Sequence, residues 1–341
     1  MNLDASPNNH IEIDSKKYLY FGGTAYLGLP NNTAFQDIII KNIRKWGTSY
    51  GISRVANIHL LCYENAEQFL AKHIGSESAV TVSSGMLAGK IAVDVLKNST
   101  DVFYHFDGNH EAIYVNDSLP FYIDNELNPR LLDNVSESIT ILTDGVISGN
   151  VRGFDQSLIN KVSSSKTITL LIDESHSLGI LGENGSGIFS TINHPNIINK
   201  NLVSSLGKAF GTTGGVIAGD FNFIKKVKTN AIFGSSAGMN PGFAQSIAES
   251  SEIITQQLEK LKQNLLYIEL HLHKNKNIIF NKNYPLIYPN IDGIYEKILN
   301  KNIIITHFKY PNSEKNLNRI VITANHTIED LNQMISVLNK Q

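Results

Sequence analysis

The chain has 341 residues, a formal net charge of −2 and 18% charged residues. This length suits one large domain and a smaller one, and the charge gives no electrostatic case for binding nucleic acid or an anionic membrane. The single cysteine, Cys62, excludes an internal disulfide and fits a reducing compartment. Residues 1–14 lack the apolar core of a signal peptide, and the apolar stretches are too short to span a bilayer. We therefore expect a soluble, cytoplasmic protein.

Strand-like and helix-like patterns alternate from about residue 65 to residue 220. In chain order they predict a helix at 64–73, a strand at 79–82, a helix at 86–96, and strands at 102–105, 139–143, 167–172, 202–205 and 215–218. Several of these strands are short and apolar on both faces, which is typical of strands covered by helices on each side. The alternation predicts an α/β fold with a mostly parallel, doubly wound central sheet.

The pattern changes after Pro241. It predicts one long helix from residue 243 to about 274, strands at 303–307 and 319–323, and a last helix at 328–338. This tail is typical of a small α+β domain. We expect three parts, namely an N-terminal arm and entry segment (1–45), a large domain (46–258) and a small C-terminal domain (259–341).

Lys208 and Asp173 are the most informative pair of residues in the chain. Lys208 lies in a Ser- and Gly-rich turn after an apolar strand, and Asp173 ends an earlier strand. Pyridoxal phosphate (PLP) needs an amine that can form a Schiff base and a carboxylate that keeps its pyridine nitrogen protonated. A Gly-Lys dipeptide alone is usually a surface turn, and a strand-end Asp alone is usually a cap. Together, and in this order, they predict a PLP enzyme with its cofactor in the large domain.

A phosphate site is predicted where a strand passes into a helix at Ser84, Gly85 and Met86. The first amides of a helix have no partner within the helix, and the positive end of the helix dipole lies beside them. An ordinary strand-to-helix turn is the alternative interpretation of the same residues. The lysine and aspartate motifs nearby favour the phosphate site.

Taken in order, the motifs resemble those of the α-oxoamine synthases, a PLP-dependent fold type I family. The segment Asp173-Glu174-Ser175-His176-Ser177-Leu178-Gly179 resembles the family's Asp-Glu-Ala-His-Ser-x-Gly block, and Gly207-Lys208-Ala209-Phe210-Gly211 resembles its lysine block. The resemblance extends from Tyr26-Leu27-Gly28-Leu29 to Arg319-Ile320-Val321-Ile322. It implies a fold type I PLP-dependent transferase with a small α+β C-terminal domain.

The resemblance also implies roles for individual residues. Lys208, Asp173, His176 and His110 would be catalytic, with His110 stacked on the cofactor ring and touching the substrate. His110 is one residue closer to Asp107 than the family pattern, and His105 is near enough to compete for this role. The residues implied to bind PLP are Ser84, Gly85, Met86, His110, Asp144, Ser148, Asp173, Ser175, His176, Ser205, Lys208 and Ser236.

Two of these residues, Asp144 and Ser236, match the family pattern less directly than the others. Asp144 stands where the family has a glutamate, so its side chain is shorter. Ser236 resembles a residue that crosses the dimer interface to the phosphate bound by the partner subunit. No metal site is expected.

The substrate side carries more departures from the family. Arg319 resembles the arginine that binds the carboxylate of the amino-acid substrate, for which a planar guanidinium fits well. Thr24 stands where the family commonly has an asparagine that contacts the same carboxylate, and Tyr63 stands where it has a histidine. The chain is also a few dozen residues shorter than most members, mainly around the small domain. These differences concern the acyl-donor side more than the PLP core.

The implied reaction is a decarboxylating condensation of a small amino acid with an acyl-CoA or acyl-ACP thioester, in a homodimer with active sites at the subunit interface. The size of bacterial members favours L-alanine and a pimeloyl thioester, although no residue selects them. Glycine acetyl transfer, aldol cleavage and transamination remain alternatives, and the absence of a transaminase-like arginine pair disfavours the last. A non-catalytic partner subunit is an alternative of another class, which the presence of Lys208, Asp173 and His176 disfavours.

Overall fold

The computed structural model describes residues 2–147, 149, 151–309 and 316–341. Ser148, a predicted cofactor contact, lies outside the described residues. The chain divides into two compact units by its internal contacts. Unit 1 comprises Met1–Gln36, Ala209–Gly211 and Glu252–Gln341, and unit 2 comprises Asp37–Lys208 and Thr212–Ser251. The three-part division expected from the sequence stays a prediction.

The strands in chain order are β1 (His10–Ile13), β2 (Lys16–Phe21), β3 (Ser78–Val82), β4 (Val102–His105), β5 (Leu119–Pro120), β6 (Tyr122–Ile123), β7 (Glu126–Leu127), β8 (Glu137–Asp144), β9 (Lys166–Asp173), β10 (Ile197–Ser205), β11 (Gly215–Gly219), β12 (Ile278–Asn281), β13 (Tyr284–Pro289), β14 (Ile303–Lys309) and β15 (Asn316–Val321). The helices are α1 (Thr33–Trp46), α2 (Leu61–Ile74), α3 (Gly85–Leu96), α4 (Phe221–Lys228), α5 (Ala231–Ser235), α6 (Pro241–Ala248), α7 (Ser251–His271), α8 (Ile294–Leu299) and α9 (Ile328–Leu338). Among the described residues, no helix is both long and apolar enough to cross a membrane.

Unit 2 is built on a sheet with strand order β3-β11-β10-β9-β8-β4-β5. The neighbours from β10 to β5 run parallel, and β11 runs antiparallel to both β10 and β3. This confirms the predicted α/β fold with a mostly parallel central sheet. Because the strands from β10 to β4 run parallel, their last residues meet at one edge of the sheet. That edge holds Asp144, Asp173 and Ser205, the final residues of β8, β9 and β10.

Unit 1 has its own sheet, with strand order β1-β2-β14-β15-β13-β12. The hairpin of β1 and β2 joins it through parallel pairing of Leu19, Tyr20 and Phe21 with β14. These N-terminal strands, and the β12–β13 hairpin, were not among the strands predicted from the sequence. The long helix predicted from residue 243 to 274 was wrong, because α6 ends at Ala248 and α7 begins at Ser251.

The break between α6 and α7 has a local cause. Ser246 Oγ donates a hydrogen bond to the carbonyl of Gly242 at 2.7 Å, and Ser250 Oγ donates to the carbonyl of Ser246 at 2.6 Å. Side chains that bond to carbonyls one turn back compete with the helix backbone and often bend or end a helix. The helical spacing of apolar residues continues through this segment, so the sequence pattern alone does not reveal the break.

Candidate cofactor and active site

Lys208 lies in a tight turn between β10 and β11. The amide of Thr212 donates to the carbonyl of Leu206, and the amide of Leu206 donates to the carbonyl of Gly214, both at 3.0 Å. The amide of Gly207 donates to Ser205 Oγ at 3.2 Å. Backbone bonds therefore hold the turn independently of the lysine side chain.

The turn after β9 carries Asp173, Ser175 and His176. Asp173 is buried, and its Oδ1 accepts a hydrogen bond from the amide of Ser175 at 2.9 Å. Ser175 Oγ in turn accepts a hydrogen bond from the amide of Ser205 at 2.8 Å. This bond ties the Asp173 turn to the Lys208 turn, and Lys208 Nζ lies 3.0 Å from His176 Nε2. The structure thus brings together three of the four residues predicted to be catalytic.

His110, the fourth, lies in the loop that follows β4. Its amide donates to Asp144 Oδ1 at 3.2 Å, and its Nδ1 lies 3.6 Å from Asp173 Oδ2. Nδ1 also accepts a hydrogen bond from the amide of Ala112 at 3.2 Å, so the remaining proton of the neutral ring is on Nε2. His105 makes a different contact, with Ser118 Oγ at 2.8 Å. The geometry therefore places His110 beside the acidic end of the site.

Asp144 and Asp173 are direct register partners on the parallel strands β8 and β9. Both side chains are buried. Burial, and to a lesser extent the charge of Asp173, raise the pKa of Asp144 to about 7, while the His110 amide and the Lys208 charge act in the opposite direction. Two buried carboxylates side by side form a place where a positive charge is favourable.

The opposite end of the site is the start of α3. Ser84 caps this helix, with Ser84 Oγ accepting a hydrogen bond from the amide of Leu87 at 3.2 Å. The amides of Gly85 and Met86 precede that bond, where a helix offers donors without intrahelical partners. A Cβ atom on Gly85 would lie 2.7 Å from Ser205 Cβ. The close approach of two backbones therefore requires glycine here.

The residues of the site fit both ends of the PLP molecule. The acidic pair suits a protonated pyridine nitrogen, the Lys208 amine suits the aldehyde carbon, and the helix start beside Ser205 suits a phosphate. The fit rests on the donor set and on the close approach of Gly85 to Ser205, which brings the start of α3 to the end of β10. All of these groups belong to unit 2.

Glu174 is an important residue of the site that the sequence reasoning did not single out. It is fully buried, and its carboxylate accepts hydrogen bonds from Ser177 Oγ at 2.6 Å and from the amides of Ile188 and Phe189 at 2.8 and 2.6 Å. Burial is the main reason that its pKa is raised to about 7. A Cβ atom on Gly187 would lie 2.2 Å from Glu174 Oε2, so the glycine-rich spacing after His176 was the available signal.

Ser236 lies at the end of α5, where its hydroxyl donates to the carbonyl of Ile232 at 2.5 Å. Its role toward a partner subunit stays a prediction. Tyr63, the residue that replaces an expected histidine, donates from its hydroxyl to the carbonyl of Met239 at 2.7 Å. The guanidinium of Arg54 lies 3.9 Å from the centre of its ring, and burial raises the pKa of Tyr63 to about 12. Tyr63 therefore has a packing role in unit 2.

Thr24 and Arg319, the two predicted substrate residues, both belong to unit 1. Arg319 lies on β15 opposite Thr306, and its Nε is buried without a hydrogen-bond partner among the described residues. Its charge counteracts the effect of burial on the pKa of Tyr20, which remains raised. A cation with a buried donor that lacks a protein partner is suited to an anionic ligand.

Comparison with known proteins extends these observations. A family model described as "Aminotransferase class I and II" matches residues 153–338. An 8-amino-7-oxononanoate synthase from Petrotoga mobilis is 28% identical over 364 residues, covering 99% of this chain and 92% of that protein. A serine palmitoyltransferase from Sphingobacterium spiritivorum is 25% identical over 364 residues, covering 98% and 88%. The solved serine palmitoyltransferase from S. paucimobilis with bound PLP–myriocin has a TM-score of 0.80 at 17% identity, covering 97% of this chain and 89% of that one.

Proposed function

Since the chain belongs to the aminotransferase class I and II family and, within it, to the α-oxoamine synthases, we propose that it condenses a small amino acid with an acyl thioester, with loss of carbon dioxide. It is a PLP-dependent enzyme of acyltransferase type with the fold of the fold type I transferases. The observation that carries the proposal is the convergence of Lys208, His176, Asp173 and His110 at one edge of the unit 2 sheet.

Bound PLP supplies an electron sink for negative charge at the substrate Cα. Asp173 would hold the proton of the pyridine nitrogen, and the Ser175 amide keeps its carboxylate oriented. Lys208 would be the base that removes the proton from Cα, and His176 lies within hydrogen-bond distance of its amine. His110, on the loop after β4, would cover the ring. Gly85, Met86 and the neighbouring hydroxyls would hold the phosphate.

Arg319 binds the carboxylate of the amino acid in this proposal, and Thr24 assists it. The support is the buried Nε of Arg319, which lacks a partner among the described residues. A guanidinium forms two parallel hydrogen bonds with a carboxylate and so fixes its orientation. Orientation matters because it would decide which bond at Cα breaks.

For the individual reaction we propose L-alanine and a pimeloyl thioester, which is the reaction of 8-amino-7-oxononanoate synthase in biotin synthesis. The support is the 28% identical relative of that name, matched over nearly the whole chain. Serine palmitoyltransferase is the second candidate, because a relative of that name is 25% identical over a similar span. The two differ in amino acid and in acyl length.

A matrix of substrates tests the proposal. Purified protein is incubated with glycine, L-alanine or L-serine, each with acetyl-CoA, pimeloyl-CoA, pimeloyl-ACP or palmitoyl-CoA, and the products are identified by mass. We expect an aminoketone from L-alanine and a pimeloyl thioester, and none from the Lys208→Ala variant. A product from L-serine and palmitoyl-CoA would favour the second candidate. An aminoketone from no combination would contradict the proposed function.

We also propose that the enzyme is a homodimer. Ile52, Val55, Ile58 and Leu61 in unit 2 all expose large parts of apolar side chains. Several exposed apolar side chains in one short segment suit a surface that another chain covers. Light scattering after size exclusion should give twice the mass of one chain, and a monomer would contradict this.

A further inference from the structure

Asp144 and Asp173 end neighbouring parallel strands at the same register position. The two residues are 7% and 5% exposed, so water screens the mutual repulsion of their carboxylates poorly. Two carboxylates that share a buried site do not both ionise easily. The acidic end of the site therefore has more carboxyl groups than one bound positive charge requires.

The hydrogen bonds of the two carboxyls distinguish them. Asp173 Oδ1 accepts from the Ser175 amide at 2.9 Å, within its own turn. Asp144 Oδ1 accepts from the His110 amide at 3.2 Å, the longer of the two bonds. A proton on the pair is therefore better placed on Asp144, and its Oδ2 is the atom that would carry it.

The groups that act on Asp144 are Asp173 from β9, the His110 amide from the β4 loop and Lys208 from the turn after β10. The imidazole of His110 turns Nδ1 to the Ala112 amide, so this nitrogen does not offer Asp144 a proton. Lys208 is engaged with His176 at 3.0 Å. The His110 amide and the Lys208 charge lower the pKa of Asp144, but burial and the charge of Asp173 outweigh them, so its pKa stays raised.

We propose that Asp144 holds a proton on Oδ2 in the cofactor-free enzyme and releases it to solvent when PLP brings its pyridinium charge to Asp173. The O–H bond of the carboxyl breaks, its electron pair stays on Oδ2, and buffer accepts the proton. PLP binding is thereby linked to pH through a residue that need not touch the ring nitrogen. In this scheme Asp144 is a positioning residue, which acts by changing its own charge when PLP binds. The inference rests on PLP binding at this site and not on the identity of the substrates.

Calorimetry tests the proposal with the full chain freed of cofactor and titrated with PLP. The titrations are run in MES and Bis-Tris at pH 6 and in HEPES and triethanolamine at pH 8, because these buffers lack a primary amine and the difference in heat between buffers of unlike ionisation enthalpy counts the protons released. Asp144→Asn is compared with wild type, and Asp155→Asn serves as the control because Asp155 is an exposed cap whose pKa is lowered. Protons released by groups common to all three proteins cancel in the comparison.

Wild type should release about 0.9 proton more than Asp144→Asn at pH 6 and about 0.1 more at pH 8, given a pKa of about 7 without cofactor. Asp155→Asn should match wild type at both values. Equal proton release from wild type and Asp144→Asn at pH 6, with PLP bound to both, would overturn the proposal. Failure of wild type to bind PLP would overturn both the cofactor site and this inference.

A second measurement needs no variant and guards against poor folding of Asp144→Asn. The infrared difference spectrum of wild type with and without PLP at pH 6 should lose the C=O band of a protonated carboxyl and gain carboxylate bands. Glu174 is another buried carboxyl with a raised pKa, and the same difference spectrum of Glu174→Gln identifies any part of the lost band that belongs to it. A spectrum without loss of a protonated-carboxyl band would overturn the proposal.

Discussion

Lys208 Nζ lies 3.0 Å from His176 Nε2, although the two residues are on turns that follow different strands. The Ser175 hydroxyl joins these turns by accepting a hydrogen bond from the Ser205 amide at 2.8 Å. The turns of the lysine and the histidine are therefore joined by a hydrogen bond between the Ser205 amide and the Ser175 side chain, in which neither Lys208 nor His176 takes part. This separates the chemistry of Lys208 from the stability of its turn, so substitutions at position 208 should report on chemistry.

Lys208 should carry the cofactor covalently. The purified protein should be yellow, and borohydride reduction followed by peptide mass analysis should place a pyridoxyl group on the peptide that contains Lys208. Lys208→Ala should fold, because Leu206, Thr212 and Gly214 close the turn through backbone bonds. Lys200 is the control lysine, which should stay unlabelled because its Nζ donates hydrogen bonds to the carbonyls of Phe189 and Ile192. Label on Lys200, or a colourless protein that takes up no PLP, would contradict the assignment.

Asp173→Asn should keep the fold and much of the PLP but lose on the order of a hundredfold or more in turnover. The side-chain oxygen of the new asparagine can still accept a hydrogen bond from the Ser175 amide, so the turn should be kept. A neutral amide cannot hold the proton of the pyridine nitrogen, so the electron sink weakens. Turnover and PLP content are measured together, with Asp155→Asn as the control for loss of an exposed carboxylate. Near-normal turnover in Asp173→Asn would give this carboxylate a structural role alone.

Arg319→Ala should raise KM for the amino acid and lower kcat, with little change in PLP content. The reason is the loss of a guanidinium whose buried Nε lacks a partner among the described residues. Thr24→Asn should tighten amino-acid binding, because an amide reaches further than a hydroxyl. Spectral titration with L-alanine, glycine and L-serine measures both effects. An unchanged titration for Arg319→Ala would mean that the carboxylate site has been placed on the wrong residue.

The central sheet was predictable because its strands are short and apolar on both faces. Strand β4 begins and ends where the sequence indicated, β3 and β11 differ by one residue at one end, and β9 differs by one residue at each end. The N-terminal strands β1 and β2 were missed because β1 has only four residues, too few for its alternation to stand out, and β2 begins with the charged Lys16 and Lys17. Pairing of β2 with β14 joins segments almost 300 residues apart, and local patterns carry no information about such contacts.

Part of the site could also be predicted from local sequence patterns. Strand ends and a Gly-rich turn mark Asp173 and Lys208 in the sequence, whereas His105 and His110 could not be ranked from spacing. The fold separates these histidines, since His105 bonds to Ser118 and the loop returns His110 to Asp144. The charge state of the acidic end depends on burial and strand register, which appear once the chain has folded.

Glu174 gives a prediction about stability and pH. Burial raises its pKa from 4.5 to about 7, so between these values the folded protein binds more protons at this position than the unfolded chain does. The stabilisation from its protonation is therefore fully present below the unfolded pKa and is lost as pH rises through about 7. Glu174→Gln removes this titration while keeping a polar group of similar size. The unfolding free energy of wild type relative to Glu174→Gln should fall by about 2 kcal/mol from pH 5 to pH 8.

Urea unfolding of both proteins at pH 5, 6, 7 and 8 measures this difference. Titration of Asp144 is common to wild type and variant and so largely cancels. Glu183→Gln is the matched control, because Glu183 is exposed and lies at the start of the same loop that Glu174 holds through Ile188 and Phe189. Its difference from wild type should stay flat across the series. A difference for Glu174→Gln that is flat, or that grows with pH, would show that hydrogen bonds from the loop keep this carboxylate ionised in the folded protein.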